Sequence, residues 1–166
     1  MKARIFLLLG LAVVAFSLLA TNGKVRASDD TRFTWAINGQ SALAKDGSTI
    51  MLTGTGTFAP DDPEEATGQG TWAVSSPAGN GNFKVRGLIR VDFTESVQGS
   101  NLRGGLLFLR VAYSDGSRGL LAVSCRFGSN VAPAVVEGIT ASKGVVDYFQ
   151  PAPGSHTPPF QQLSEE

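Results

Sequence analysis

The sequence predicts an all-β domain, and three observations carry that prediction. Apolar and polar residues alternate with period two after residue 28, and no apolar repeat at helical spacing is sustained there. Glycine, aspartate and asparagine interrupt this alternation at short intervals, as turns do. A glycine-rich segment at residues 53–58, Thr-Gly-Thr-Gly-Thr-Phe, recurs at residues 67–72 as Thr-Gly-Gln-Gly-Thr-Trp, which indicates a meander. We expect one small antiparallel β-barrel, or alternatively a β-sandwich, of about seven to eight strands.

Residues 1–27 have the organisation of a secretory signal peptide. Lys2 and Arg4 precede an uncharged apolar run over residues 5–20, and Val25 and Ala27 supply the small residues of a cleavage site. The run is shorter than the ~20 apolar residues that span a bilayer, although an uncleaved anchor stays the alternative. We therefore expect a signal helix at residues 1–27, the β domain at residues 28–150, a proline-rich disordered tail at residues 151–166, and a secreted or periplasmic location.

Removal of this leader changes the charge of the chain. The full sequence has 14 basic and 14 acidic residues, and four of the basic ones lie in the leader, so the remainder is 10 against 14, a net charge of −4. Because its basic residues are scattered, this chain has no basic patch that would bind nucleic acid. We expect membrane contact only through the leader, during export. Cys125 is the only cysteine, which excludes an intramolecular disulfide and predicts a buried thiol among apolar neighbours.

Two stretches give the clearest strand predictions. In residues 83–93, one face of the predicted strand carries Phe83, Val85, Gly87, Ile89, Val91 and Phe93. The other face is polar, with Lys84, Arg86, Arg90 and Asp92, and Leu88 is its one apolar exception. Residues 106–113 and 119–127 flank an Asp-Gly pair that favours a tight hairpin. Because residues 106–113 are apolar on both faces, we expect another layer, a terminal segment or a second subunit to cover them.

The paired glycines of the repeat, Gly54 with Gly56 and Gly68 with Gly70, fall on one face of each strand. Such glycines leave room for a bend, a bulge or a bulky neighbour across the sheet. No helix pattern follows them, which argues against a dinucleotide-binding loop.

Few residues are candidates for chemistry. His156, the only histidine, lies in the predicted tail, which argues against a catalytic triad and a multi-histidine zinc site, so we predict no catalytic residue, metal or cofactor. Arg110 and Glu137 are charges embedded in apolar strands. They are predicted either to pair inside the barrel or at its mouth, together with Tyr113 or Tyr148, or to lie exposed on opposite edges.

Two stretches carry a resemblance to known proteins. Residues 113–119, Tyr-Ser-Asp-Gly-Ser-Arg-Gly, and the string from Glu137 to Tyr148 are similar to segments of uncharacterised secreted proteins of bacteria. The glycine-rich meander is similar to small barrels of the allene oxide cyclase and dirigent type, which hold apolar ligands in their mouths. The specific motifs of those two families do not occur here, so the resemblance carries over no site residue.

The function expected from these observations is that of an exported, non-catalytic binding protein. It would hold a small apolar molecule inside the barrel, with Arg110, Tyr113, Glu137 and Tyr148 as the ligand-binding residues. The alternative is a structural or interaction module that self-associates through an apolar sheet face. An enzyme using Arg110 and Glu137 in acid–base catalysis is the least favoured reading, because nothing assembles a nucleophile, a base and an orienting group.

Overall fold

The described part of the chain is built from β-strands. A computed structural model describes residues 31–94, 96, 99–127 and 136–164, and no helix occurs among them. Within those ranges, no helix is long and apolar enough to cross a membrane. The predicted signal helix at residues 1–27 lies outside the described residues. The strands are β1 (Phe33–Leu43), β2 (Thr49–Ala59), β3 (Asp62–Ser75), β4 (Ala78–Phe93), β5 (Leu102–Arg103), β6 (Gly105–Tyr113), β7 (Arg118–Cys125), β8 (Gly138–Lys143), β9 (Val146–Tyr148), β10 (Gln150–Pro151) and β11 (Phe160–Gln162).

These strands form one antiparallel sheet, which confirms the all-β class. The order is β5-β11-β1-β2-β3-β4-β6-β7-β8-β9, and β10 pairs with β1 off this path. The sheet is open, so the predicted closed barrel of seven to eight strands is wrong. The alternative, a β-sandwich, requires two sheets, whereas the described strands form one. The physical reason is the shortness of the last strands. Only two residue pairs, Ala42 with Pro151 and Leu43 with Gln150, join β10 to β1, although β1 and β8 touch as the sheet curls.

Strand β4 is longer than the predicted strand and contains two bulges. The register against β6 shifts between Val85 and Gly87 and again between Leu88 and Arg90. Each bulge adds a residue to one strand and reverses which side chains face inward. Leu88, the exception in the sequence pattern, is therefore buried opposite Leu109, whereas Ile89 is turned outward and is 48% exposed.

The inner face of the sheet is packed with aromatic side chains. Near one end, the rings of Phe33, Phe58, Phe93 and Phe160 lie with centroids 4.7–6.4 Å apart. Towards the other end Trp72 meets Tyr113 edge to face at 6.0 Å. The largest fully buried side chains are Trp35, Phe58, Phe83, Phe160, Ile37, Ile50, Leu52, Leu107, Leu109, Leu121, Ile139 and Val123.

The repeated glycines make room for two of these rings, which is the bulky neighbour among the three alternatives left open by the sequence. Gly54 pairs with Gly70 and Gly56 with Gly68 across β2 and β3. A Cβ atom on Gly68 would lie 2.4 Å from Trp35 Cζ2, and one on Gly70 would lie 2.7 Å from Phe83 Cε1. Any larger residue would collide with these rings.

The predicted hairpin at Asp115-Gly116 is present between β6 and β7. Gly116 has a φ of +87° and donates its amide to the carbonyl of Tyr113, and the chain returns through the bond from Tyr113 N to Ser117 O. Because Asp115 keeps a negative φ, this is a three-residue loop with a glycine bulge rather than a two-residue turn.

The C-terminal segment is not a disordered tail over its described residues 151–164. Phe160 is 0% exposed and stands edge-on to Phe58 at 5.6 Å, and β11 pairs with β1. Thr157 is also buried, and its hydroxyl donates to the carbonyl of Ser124 at 2.5 Å. The disorder prediction is therefore wrong, because burial of one aromatic ring outweighs the proline-rich composition around it.

Candidate functional site

The four predicted ligand-binding residues lie in three separate places. Arg110 is exposed on the outer face of β6, and Tyr113 and Tyr148 are buried at 4% and 2% exposure on the inner side. Glu137 immediately precedes β8, where Gly138 pairs with Ser124, whereas Arg110 lies opposite Leu120. The structure therefore does not bring Arg110 and Glu137 together as an ion pair.

Three arginines meet on the outer face of the sheet instead. Arg86 of β4, Arg110 of β6 and Arg118 of β7 line a groove of about 630 Å³. Guanidinium groups present several donors in a planar fork that matches carboxylates, sulfonates and phosphates. We call this the arginine groove; its other lining residues are Val111, Ala112, Gly119, Leu120, Ser142 and Gly144.

The hairpin and a bulge bring these arginines together. The register across the β6–β7 hairpin pairs Ala112 with Arg118 and Arg110 with Leu120, so the two arginines stand on one face. Arg110 Nη2 lies 2.7 Å from the position of a Cβ on Gly87, which means that the guanidinium lies across the bulged glycine of β4. Ala112, which pairs with Arg118, adds only a methyl group to this part of the groove.

None of these three arginines has an acidic partner within 4.0 Å in the part of the chain that is described. The nearby Asp115 is already engaged, because it pairs with Lys143 and accepts hydrogen bonds from Ser117. These contacts with Lys143 and Ser117 lower the pKa of Asp115 to about 2. The arginine groove thus gathers positive charge without neutralising it internally.

The two buried tyrosines support the fold beneath this groove. Tyr113 donates its hydroxyl hydrogen to the carbonyl of Ser142 at 2.9 Å, which ties the end of β6 to β8. Burial raises the pKa of Tyr113 and of Tyr148 above the usual tyrosine value, so both remain neutral phenols. Lys143 Nζ lies 4.1 Å above the ring centroid of the buried Trp72, a cation–π contact on the inner side of the sheet.

Glu137 belongs to a different cluster. Its Oε1 lies 2.8 Å from Nδ1 of His156, a residue of the C-terminal segment.

Cys125 is 2% exposed, which confirms the predicted buried thiol. Burial and the charge of Glu137 raise the pKa of Cys125 to about 11, so the thiol stays protonated at neutral pH and is a poor nucleophile. Within the described residues, no three His, Cys, Asp or Glu side chains are placed to hold a metal ion.

Sequence reasoning identified Arg110 but missed Arg86 and Arg118. For Arg118 the signal was present, because the Asp-Gly hairpin fixes which residues of β7 stand beside Arg110. Arg86 was assigned to the polar face of its strand, but its place beside Arg110 depends on the bulge at Gly87, which the alternation does not reveal.

Comparison with known proteins gives no match to a protein-family model, to a curated protein or to a solved structure. The resemblance to allene oxide cyclase-type and dirigent-type barrels therefore stays a prediction.

Proposed function

We propose that the protein is a non-catalytic binding protein that holds a small organic anion in the arginine groove. The observation that carries this proposal is the convergence of Arg86, Arg110 and Arg118 on one groove without an acidic partner among the described residues. Three like charges held close together repel each other, and a bound anion relieves that repulsion while accepting charge-assisted hydrogen bonds.

The ligand is placed on the outer face rather than inside the sheet. The inner face is filled by side chains such as Trp35, Phe58 and Phe83, each no more than 1% exposed. Leu120, which is 48% exposed, adds apolar surface to the arginine groove, so the ligand that suits it carries an apolar body beside its acid group. We further propose that the protein acts outside the cytoplasm, as the leader at residues 1–27 predicts.

Titration with anilinonaphthalene sulfonate, a fluorescent anion with an apolar body, tests this proposal on the exported protein. We expect saturable binding that weakens as salt rises, because ionic screening weakens the contacts with the guanidinium groups. Arg110→Gln is expected to lower the affinity at least about fivefold, since it removes a charge-assisted contact.

Arg90→Gln is the matched control, because Arg90 lies on β4 and is exposed but pairs with Asp92 at 2.7 Å outside the groove. It is expected to change the affinity less than about twofold. Absence of saturable binding, or equal losses in the two variants, would contradict the proposal.

Self-association through the same face is a second candidate function, and a specific observation favours it. Ile89 of β4 and Leu120 of β7 are each 48% exposed, and Phe149, between β9 and β10, is 69% exposed. Several large apolar side chains exposed on one protein surface often mark an interface. Sedimentation at micromolar concentration distinguishes the two candidates: a dimer that dissociates in Leu120→Ser supports self-association, and a strict monomer excludes it.

A further inference from the structure

A second groove lies on the same outer face as the arginine groove. Its volume is about 260 Å³, and it is mainly apolar. Phe108 pairs with Ala122 and Leu106 with Ser124, two and four residues respectively along the strands from the pair formed by Arg110 and Leu120. Residues separated by even numbers on a strand share a face, so both grooves open on one side of the sheet. The apolar residues lining the second groove include Leu106, Ala122, Val136, Phe149 and Pro151.

Apolar surface connects the two grooves. Leu120 lines the arginine groove, Ala122 lines the second one, and Phe108 lies half-buried opposite Ala122 on the neighbouring strand. The outer face therefore presents positive charge at the end near the hairpin and a continuous apolar track leading away from it. An amphiphile with one acidic end matches that distribution of charge and apolar surface.

The length of the track sets the length of the ligand. Arg118 at one end and Ser124 at the other are six residues apart on β7, which corresponds to roughly 20 Å along a strand. An extended alkyl chain with carbon–carbon bonds of about 1.5 Å advances roughly 1.25 Å per carbon. A chain of about sixteen carbons therefore spans both grooves.

We infer that the ligand is a long-chain anionic amphiphile bound as a single molecule. Its acid group lies among Arg86, Arg110 and Arg118, and its chain follows the outer face of β7 into the second groove, which Phe149 lines. This inference rests on the proposed function, because it takes the arginine groove as the site of the acid group.

Displacement of anilinonaphthalene sulfonate by octanoate, dodecanoate and hexadecanoate, each below its micelle concentration, tests the inference. Affinity is expected to rise along the series, with hexadecanoate at least about thirtyfold tighter than octanoate, because each added methylene leaves water for the apolar track. Phe149→Ser is expected to lower the affinity for hexadecanoate at least about fivefold and that for octanoate no more than about twofold, because an eight-carbon chain of roughly 10 Å ends where the second groove begins.

Val145→Ser is the matched control, because Val145 is fully exposed at the adjoining turn and does not line the second groove. It is expected to change neither affinity. Equal affinities for octanoate and hexadecanoate would overturn the inference of a long-chain amphiphile. The proposed function would survive that result if the binding of both fatty acids still depended on Arg110. Binding to phosphatidylglycerol vesicles without binding of monomeric hexadecanoate would also overturn it, in favour of a membrane surface. Loss of the dependence on Arg110 would instead defeat the proposed function itself.

Discussion

At the scale of single residues, Asp115 holds together the turn that brings Arg110 and Arg118 side by side. Its Oδ1 accepts hydrogen bonds from the amide and hydroxyl of Ser117, and its Oδ2 pairs with Lys143 of the neighbouring strand. Asp46 makes the same two contacts with Ser48 in the β1–β2 turn, so an Asp-Gly-Ser sequence builds both hairpins.

The pKa of Asp115 predicts how this turn responds to acid. Because its folded pKa of about 2 lies below the ordinary value of 3.8, the carboxylate stabilises the folded protein above about pH 4, and that stability is lost as the pH falls towards 2. Asp115→Asn is expected to flatten the dependence of the thermal midpoint on pH in that window. Asp61→Asn, at the exposed β2–β3 turn, serves as the control, and an unchanged pH profile in Asp115→Asn would contradict this role.

At the scale of elements, the paired glycines of β2 and β3 determine where the aromatic rings pack. Gly68 has a φ of +150°, a conformation that side chains rarely adopt, and the indole of Trp35 occupies the space where a Cβ would stand. Trp35 Nε1 also donates to the carbonyl of Thr67 at 3.2 Å, which holds the ring over the strand.

Gly68→Ala is therefore expected to destabilise the protein by about 2–4 kcal/mol, from overpacking and backbone strain together. Chemical denaturation measures this loss. Gly79→Ala is the matched control, because a Cβ there would meet Trp72 at an ordinary 3.6 Å. Its free energy of unfolding should change by less than about 1 kcal/mol. Similar losses in the two variants would show that the rings do not depend on these glycines.

Much of this element-level structure was predictable, and the exceptions have physical causes. Alternation and turn residues identify the core of β4, the hairpin after β6 and the purpose of the repeated glycines. The bulges in β4 could not be predicted from the sequence, because the position of a bulge depends on the register between two paired strands and not on the local pattern of apolar and polar residues. That is why Leu88 and Ile89 were assigned to the wrong faces.

At the scale of the whole molecule, the C-terminal segment completes one end of the sheet. Phe160 packs edge-on against Phe58 and Phe93, and β11 lies between β1 and β5. Composition predicted disorder here, because four prolines surround a single aromatic residue whose burial depends on distant strands.

Phe160→Ala is expected to cost about 3–5 kcal/mol of stability, as removal of a fully buried ring does. Thermal and denaturant unfolding measure the loss, and Leu163→Ala, at a position that is 39% exposed, should cost far less. A Phe160→Ala protein as stable as the parent would mean that the segment does not belong to the core.

The candidate site also depends on the whole molecule. Arg110 stands out in the sequence as a charged residue within an apolar strand. The other two arginines of the groove come from β4 and β7, and the three meet only because the sheet order is β4-β6-β7. The predicted partner, Glu137, is instead held near His156 by the returning C-terminal segment. Long-range pairing of this kind cannot be read from local pattern.

Binding of the ligand on the outer face of the sheet can be checked by an amide chemical-shift map recorded as octanoate is added. We expect the largest shifts on residues of the arginine groove, above all Arg110, Arg118 and Leu120. Shifts concentrated on inward-facing residues such as Trp35 and Phe58 would contradict it and would return the ligand to the interior.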